Sequence, residues 1–575
     1  MYSSAAITLG VVVCALLSGT AHVAAAAETT CKCIPGDDCW PSAQEWADFN
    51  TTVGGKLVVP RQLASVCHNP DYDEAACNYV RKEWTQPWLH DDSSSSIMAA
   101  AVSNGTCDPF SARELPCDAG EASLSYSVNA TDSLDFARAI AFAHDKNIRL
   151  VIRNTGHDYL GKSSGKWALS VWTHYMKKTE YMPQYNGTGY TGAAIRLGAG
   201  IQVEEAYMAG RAQNKLVVGG DCDTVGVVGG YLQGGGHSAL SSLHGMGADS
   251  VLEWEVVDGT GRLLTASPQQ NADLYWALSG GGGGTYGIVT SVVVKLHDDV
   301  PVTGVVLQFD LDPARPEAFW DAVSKYHEMM PSITAAKGMG IALITGSTFF
   351  LTPLTFPNLS RGDAETVMAP LMQKLNDQGV AYSLQVTEHP NWLTYWQQLI
   401  KPNPTQLVQN GQYGGWMVPR TLMANNYTDV QAAIKEITDA GCVFVGLALD
   451  VSHSGGSGVE NSVLPAWRDA AMNVILSTAW PEGAKPSKMK ALADTMTQTC
   501  VPALSRMAPD AGAYLNEADP NQPNWQKAFY GANYDKLVAI KNKYDPYHIF
   551  YATTAVGSDY YTVDSAGRLC SATTT

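Results

Sequence analysis

Val217-Val218-Gly219-Gly220-Asp221-Cys222-Asp223-Thr224-Val225-Gly226-Val227-Val228-Gly229-Gly230-Tyr231-Leu232-Gln233-Gly234-Gly235-Gly236 packs eight glycines and one cysteine into twenty residues, with no charged side chain after Asp223. Glycine lets the main chain take φ > 0 and approach a neighbour with no Cβ in between. Successive backbone N–H groups in such a loop hold phosphate without help from a basic side chain. A pair of β-turns joining short strands would use the same residues, so the stretch alone leaves both readings open. Two companions lie at 151–165 and 279–289: Arg153-Asn154-Thr155-Gly156-His157-Asp158, and Gly280 through Gly287. Three glycine-bearing loops within 135 residues favour one large, flat ligand over three unrelated turns.

Gly156-His157-Asp158-Tyr159-Leu160-Gly161-Lys162-Ser163 also satisfies G-x-x-x-x-G-K-[ST], the phosphate loop of nucleotide hydrolases. That mechanism needs a helix to begin at the Lys-Ser, with its N-terminus facing the phosphates. Here Ser164-Gly165-Lys166 reads as a turn and Trp167 to Trp172 as a strand, so this reading is set aside.

Composition narrows the classes. An apolar fraction of 45% with 15 Trp and 26 Tyr describes a well-packed globular chain, and 575 residues allow several domains. A net charge of −18 argues against nucleic acid as a partner, and no basic tract marks a membrane surface. Residues 1–27 carry no charged side chain, an apolar run from about Ala5 to Leu17, and small residues at Ala21 and Ala24 to Ala27. They read as a secretory signal peptide, although Lys or Arg near the start is missing. Removing Cys14 with the signal and setting Cys222 aside leaves ten cysteines, enough for five disulfides in an oxidising compartment. N-x-S/T sequons at Asn50, Asn104, Asn129, Asn186, Asn358 and Asn426 fit a glycosylated, exported protein.

Along the chain, 28–124 reads as a cystine-rich segment poor in helical periodicity. The next unit spans 125–300. In it Asp132 to Lys146 is an amphipathic helix with Phe136, Ile140, Ala141 and Ala143 on its apolar side, and Asn147 to Arg153 is a buried strand. Further strands are expected near 167–172, 194–198, 215–218, 251–257 and 288–296, with a helix at 202–213. In 301–510, helices at about 315–330 and 363–378 alternate with strands at 303–310, 340–350 and 443–450. The tail, 511–575, ends a helix from Asn533 at Asp545-Pro546. The fold class is α+β.

The three loops resemble the flavin-binding domain of the vanillyl-alcohol oxidase family, in its berberine-bridge-enzyme-like branch. Lys541-Asn542-Lys543-Tyr544-Asp545-Pro546 and Phe550-Tyr551 resemble that branch's closing motif. Cys39-Trp40-Pro41-Ser42 with Glu45-Trp46, and Ala555-Val556-Gly557-Ser558-Asp559, resemble secreted fungal members, including isoamyl alcohol oxidase-like proteins. The resemblance implies a two-lobed PCMH-type FAD-binding domain, to which the tail returns, plus an α/β substrate domain with an antiparallel sheet covered by helices. It implies FAD bonded twice, through His157 at the flavin 8α carbon and Cys222 at C6. Asp223 stands where relatives usually carry proline. It further places the cofactor against Arg153, Asn154, Thr155, Gly156 and Asp158, then Gly220, Thr224, Val225, Gly226, Gly229, Gly230, Gly235 and Gly236. Gly287, Ile288 and Val289 follow from the third loop, and Asn533 from the tail. Taken singly, His157 could be a turn histidine, and Cys222 a buried thiol or half of a sixth disulfide. Val225 at its position looks like the oxidase type, which favours dioxygen as acceptor and hydrogen peroxide as product; plain packing would also explain it.

Such chemistry holds a substrate carbon against flavin N5 and removes a proton as hydride leaves. Tyr413, near Trp416, and His453 are the candidate catalytic residues, and Asn461 to Arg468 resembles a strand facing the flavin. No metal site is expected. The implied protein is a secreted, monomeric flavoprotein oxidase of an alcohol or a secondary-metabolite intermediate. The alternatives are an FAD-dependent oxidative cyclase or dehydrogenase of a natural-product pathway, a carbohydrate oxidase, or a colourless binding protein on a relic fold.

Overall fold

The computed structural model describes residues 31–99, 106–403, 407–408, 410–453 and 460–572; the expected signal peptide and the sequon at Asn104 lie outside them. Strands Tyr126–Asn129 and Leu150–Arg153 both pair in parallel with Leu169–Trp172, and Leu57–Val58 adds an antiparallel edge. Parallel strands need a crossover, and the helix Ser133–Asp145 supplies it. Asp132 caps that helix, accepting from the N–H groups of Leu134 and Asp135 at 2.9 and 3.0 Å. Its buried face is Phe136, Ala139, Ile140 and Ala143, spaced i, i+3, i+4, i+7. Ala141, expected there, is exposed because it lies one step round the helix from that stripe.

A second sheet runs Thr179–Gly187, Tyr190–Gly198, Gly287–Lys295, Val251–Asp258, Leu263–Ala266, all antiparallel. A third, seven-stranded and antiparallel, is built entirely from residues 302–477. Helices Pro316–Ala335, Arg361–Asp377 and Tyr427–Asp439 pack beside it. The single strand expected over 340–350 is two, Met339–Ile344 and Thr348–Pro357, because Thr345-Gly346-Ser347 turns the chain back on itself. The implied antiparallel substrate sheet with helical cover is therefore present.

The leading segment is less irregular than its sequence indicates, holding helices at Ala43–Thr52, Glu74–Glu83 and Pro87–Asp91. Trp46 and Phe49 from the first of these enter the same core as Phe136 and Ile140. Ile549 and Phe550 from the tail fill that core too. The ten expected cysteines form five disulfides, as an oxidising secretory environment allows: Cys31–Cys570, Cys33–Cys39, Cys67–Cys77, Cys107–Cys117 and Cys442–Cys500. Cys222 belongs to none of them. No described helix is long and apolar enough to cross a membrane.

Candidate active site

The first loop leaves the strand Leu150–Arg153 and is shaped by short polar contacts. Arg153 is fully buried; its Nη2 donates to the carbonyls of His90, at 3.2 Å, and Ser96. Its Nε and Nη1 find no partner. Asn154 donates to Thr173 Oγ1 at 2.9 Å and to Ala199 O, while its Oδ1 has no partner. Thr155 and Gly156 are buried beside them. Asp158 accepts from Leu160 N and Ser163 N at 2.9 and 2.8 Å, closing a turn that runs on into the strand Leu169–Trp172. No helix starts at Lys162-Ser163, so the nucleotide-hydrolase reading fails on structure as well.

The second loop is stitched to its surroundings through its main chain. Tyr207 donates to Gly220 O at 2.7 Å, Trp396 Nε1 to Asp221 O at 2.9 Å, and Asn516 Nδ2 to Gly230 O at 2.8 Å. Asn154 nests against Gly226 and Gly229, where added Cβ atoms would lie 2.0 Å from Oδ1 and 3.1 Å from its side-chain carbons. Val227–Tyr231 is a wide turn kinked at Gly229 (φ −74°, ψ −128°), with Gly235 and Gly236 beyond it, rather than the short strands that a pair of β-turns would join. The third loop docks onto the second: Gly280 N and Gly282 N both donate to Gln233 O, at 3.0 and 2.8 Å. Gly280 has φ +126°, and a Cβ there would sit 2.2 Å from Val463 N, so no other residue suits this crossing. At Gly230, Gly283 and Gly284 an added Cβ would meet nothing nearer than 3.6 Å. Those glycines border open space rather than filled core.

His157 and Cys222 come together from the first two loops. His157 Nε2 lies 2.6 Å from Thr224 Oγ1 and 3.9 Å from Cys222 Sγ, and that sulfur lies 3.8 Å from the same hydroxyl. Burial, with His90 and Arg153 nearby, lowers the His157 pKa to about 3, so the ring is neutral with a lone pair to give. Burial, with Asp223 alongside, pushes the Cys222 thiol up to about 12. A ready thiolate is therefore not what this loop provides, and the sulfur must lose its proton before it can attack. Val225 is half-buried against the core, its N–H 3.4 Å from Cys222 O. Ile288 and Val289 send their side chains into the two main cores, and Gly287 pairs with Asp258. Only the main chain of these three could face a ligand.

Beside this pair lies a cluster whose parts are far apart in sequence. Tyr413, first residue of the strand Tyr413–Pro419, stacks on Tyr159 with centroids 4.0 Å apart and planes at 24°. Burial pushes the Tyr413 hydroxyl up to about 12 and Tyr159 well above its ordinary value, so both stay protonated. His237 Nε2 lies 2.8 Å from Glu517 Oε1, and Asn473 Nδ2 donates to Glu517 Oε2 at 3.3 Å. Burial alone would lower the His237 pKa, but Glu517, helped by Asp221, raises it. Asp221 Oδ1 and His237 Nδ1 are buried without partners.

Three sequence expectations do not fit this cluster. His453 is exposed, and the described charge that it acts on is Asp450 rather than any member of this cluster, so it leaves the catalytic set. Asn461 to Arg468 is no strand: Pro465 opens a single 3-10 turn, Pro465–Arg468. Asn533 donates to the carbonyls of Ser462 and Val463 at 3.1 and 3.4 Å, so it braces the segment crossing Gly280 rather than pointing at a cofactor. Conversely, Tyr159, His237, Asn473 and Glu517 were not picked out from the sequence. Only two faint signals marked any of them: His237 directly follows Gly236, and Glu517 follows Asn516 at the head of the tail.

The residues fit FAD. A glycine-lined bed with open space along it and a buried guanidinium with two unpartnered nitrogens suit a flat ring with a pyrophosphate. Among the described residues no group of three or more His, Cys, Asp or Glu could hold a metal.

Comparison with known proteins agrees. An FAD binding domain family matches residues 125–267, and a berberine and berberine-like family matches 513–557. The chain is 56% identical over 542 residues to the FAD-linked oxidoreductase patO of Aspergillus clavatus, covering 94% of each. It is 37% identical over 569 residues to the bifunctional decalin synthase calF of Penicillium decumbens, covering 96% of this chain and 98% of the other. The crystal structure of the VAO-type flavoprotein MtVAO615 from Myceliophthora thermophila superposes with a TM-score of 0.90 at 36% identity, covering 94% of this chain and 100% of that one. The chain belongs to the vanillyl-alcohol-oxidase-type, berberine-bridge-like family of FAD-dependent oxidoreductases.

Proposed function

We propose that this chain is an exported flavoprotein oxidase that carries its FAD on two covalent bonds, through His157 and Cys222, and oxidises an alcohol or a secondary-metabolite intermediate. The observation that carries this reading is the meeting of His157 Nε2, Cys222 Sγ and Thr224 Oγ1 within 4 Å at the edge of the glycine bed. Bound there, the flavin supplies the hydride acceptor, with dioxygen taking the electrons onward to hydrogen peroxide.

The chain's own residues handle the substrate and its proton. Glu517, steadied by Asn473, accepts the hydroxyl proton as the substrate carbon gives up hydride. His237 at 2.8 Å shares that proton and lowers the cost of holding it in a buried place. Tyr159 and Tyr413, both protonated, orient the substrate oxygen with neutral O–H groups and close one side of the site to water. Arg153 contributes a fixed positive charge below the first loop.

A second reading, oxidative cyclisation of a natural-product intermediate, is favoured by the 37% likeness to a decalin synthase. Both readings use one cofactor and differ in what the Glu517 side of the site holds. Export rests on residues 1–27 together with the five disulfides, and N-glycans would sit most readily on the exposed Asn358 and Asn426.

Purified protein is expected to be yellow, with the colour staying on the polypeptide after acid precipitation, and to release peroxide with a member of a panel of aliphatic, aromatic and sugar alcohols. A colourless protein would refute the flavoenzyme reading. A yellow protein that cyclises a polyketide-like acceptor but releases no peroxide from any alcohol would favour the second reading.

A further inference from the structure

The matched FAD domain begins at residue 125, yet the surroundings of His157 are completed from the leading segment. Asp91, 6% exposed at the end of the short helix Pro87–Asp91, accepts from Gln202 Nε2 at 2.5 Å. The same nitrogen donates to the main-chain carbonyl of Thr224 at 3.1 Å, and Gln202 Oε1 accepts from Lys177 Nζ at 2.8 Å. Thr224, thus fixed, places its hydroxyl 2.6 Å from His157 Nε2. The carbonyls of His90 and Ser96 hold Arg153, which lies directly beneath Gly156. The leading segment therefore reaches His157 along two routes, one from each side of the loop.

We infer that Asp91, through Gln202 and Thr224, is a positioning residue for covalent attachment of the flavin at His157. This rests on the covalent reading above. Attachment joins an imidazole nitrogen to a flavin methyl carbon. One C–H and one N–H bond break, one C–N bond forms, two protons leave, and the two electrons pass into the ring and on to dioxygen. A neutral imidazole can do this only if one nitrogen holds the proton and the other presents its lone pair. Thr224 engages Nε2, which leaves Nδ1 as the nucleophile and fixes the ring plane. Asp91 is the anchor of that arrangement because an amide spanning a carboxylate and a carbonyl has both its N–H groups committed. Lys177, Asp92, Asp223 and Arg153 are the other charges facing it. Lys177 also holds the Gln202 carboxamide the right way round.

The test compares wild type with Asp91→Ala, Asp91→Asn, Gln202→Ala and Thr224→Val, each purified and digested, with mass spectrometry resolving the cross-linked species, in which one flavin joins both fragments, from fragments that carry flavin through His157 alone or through Cys222 alone. FAD added to flavin-free protein gives the rate. We expect Asp91→Ala, Gln202→Ala and Thr224→Val to slow attachment at His157 about tenfold, the factor carried by one hydrogen bond of ordinary net worth. Attachment at Cys222 stays less affected, and Asp91→Asn, which keeps an acceptor for Gln202, restores His157. If wild type itself carries no flavin on His157, the covalent reading falls and this inference with it. If wild type carries it and the three variants carry it at the same rate, the inference alone falls. Equal loss at His157 and Cys222, with no rescue by Asp91→Asn, also overturns it, since that is the mark of a general loss of packing. Should either alanine variant fail to fold, Thr224→Val decides alone, being close to isosteric.

Discussion

Replacing Glu517 with Gln tests the proton-accepting role at almost constant shape. The carboxylate sits 2.8 Å from His237 Nε2 and 3.3 Å from Asn473 Nδ2, and glutamine can keep an oxygen toward one of them while losing the charge. Removing a positioned general base costs ~10²–10⁴ in rate, equivalent to about 2.7–5.4 kcal/mol of barrier at 1.36 kcal/mol per tenfold. A second effect follows from His237. Its pKa is held up by Glu517 and Asp221 against the pull of burial, so the substitution lets burial win and the imidazole pKa falls. Stopped-flow mixing with substrate under anaerobic conditions, following loss of the flavin's visible absorbance, reads the affected step directly. Glu517→Gln should reduce flavin at least ~10²-fold more slowly, and the limb of the pH profile set by His237 should move to lower pH as the Glu517 charge that raises its pKa is lost. An unchanged reduction rate with an unchanged pH profile would refute the assignment. The visible spectrum and thermal midpoint of the variant show whether the site is still assembled.

Other consequences are independent of that pair. Lys541 and Asp545 are 2% and 0% exposed and form an ion pair at 2.7 Å, with Lys541 also bonded to Thr285 O and Phe550 O. Asp545→Ala strands a buried ammonium and should cost about 3–5 kcal/mol, read as a fall in the denaturation midpoint; a loss of only a few tenths would show that the pair is not what ties the tail to the FAD lobe. Burial raises the Asp91 carboxyl from its ordinary 3.8 to about 7. The fold thus loses stability as pH rises from about 4 to about 7, because the unfolded chain gives up this proton first. Asp91→Asn should therefore match wild type in thermal midpoint at pH 4 and exceed it at pH 8, and the opposite ordering would contradict the burial of that carboxyl. Gly280→Ala forces a Cβ to 2.2 Å from Val463 N at φ +126° and should abolish flavin retention or folding, visible as colourless or insoluble protein.

Much of the architecture is legible in local sequence pattern. The stripe Phe136, Ile140, Ala143 marked the crossover helix, continuous apolar runs marked the strands, and an even set of ten cysteines with Cys222 left over matched the five disulfides. The glycine loops were legible as a bed because backbone freedom is written in residue type. What stayed hidden depends on distance along the chain. His237 and Glu517 are 280 residues apart, and neither lies in a pattern that distinguishes it from a packing residue until the tail folds back. Tyr413 stood out only as one of the aromatics in Gln412-Tyr413-Gly414-Gly415-Trp416, whereas Tyr159, on which it stacks, was masked by the false phosphate-loop match. His453 failed for the converse reason: a histidine after a strand carries no mark of which side of the sheet end it leaves from. The leading segment read as irregular because its helices are short and capped by side chains, as Ser42 and Asp73 do for two of them, rather than carried by a long apolar stripe.

Tryptic cleavage after Arg153, Lys162, Lys215 and Arg262 places His157 in residues 154–162 and Cys222 in residues 216–262. If both side chains hold one flavin, those two fragments travel as a single cross-linked species whose mass equals their sum plus one flavin less the hydrogens lost at each bond. Mass spectrometry of the digest that recovers both fragments separately, each at its unmodified mass, contradicts the covalent site.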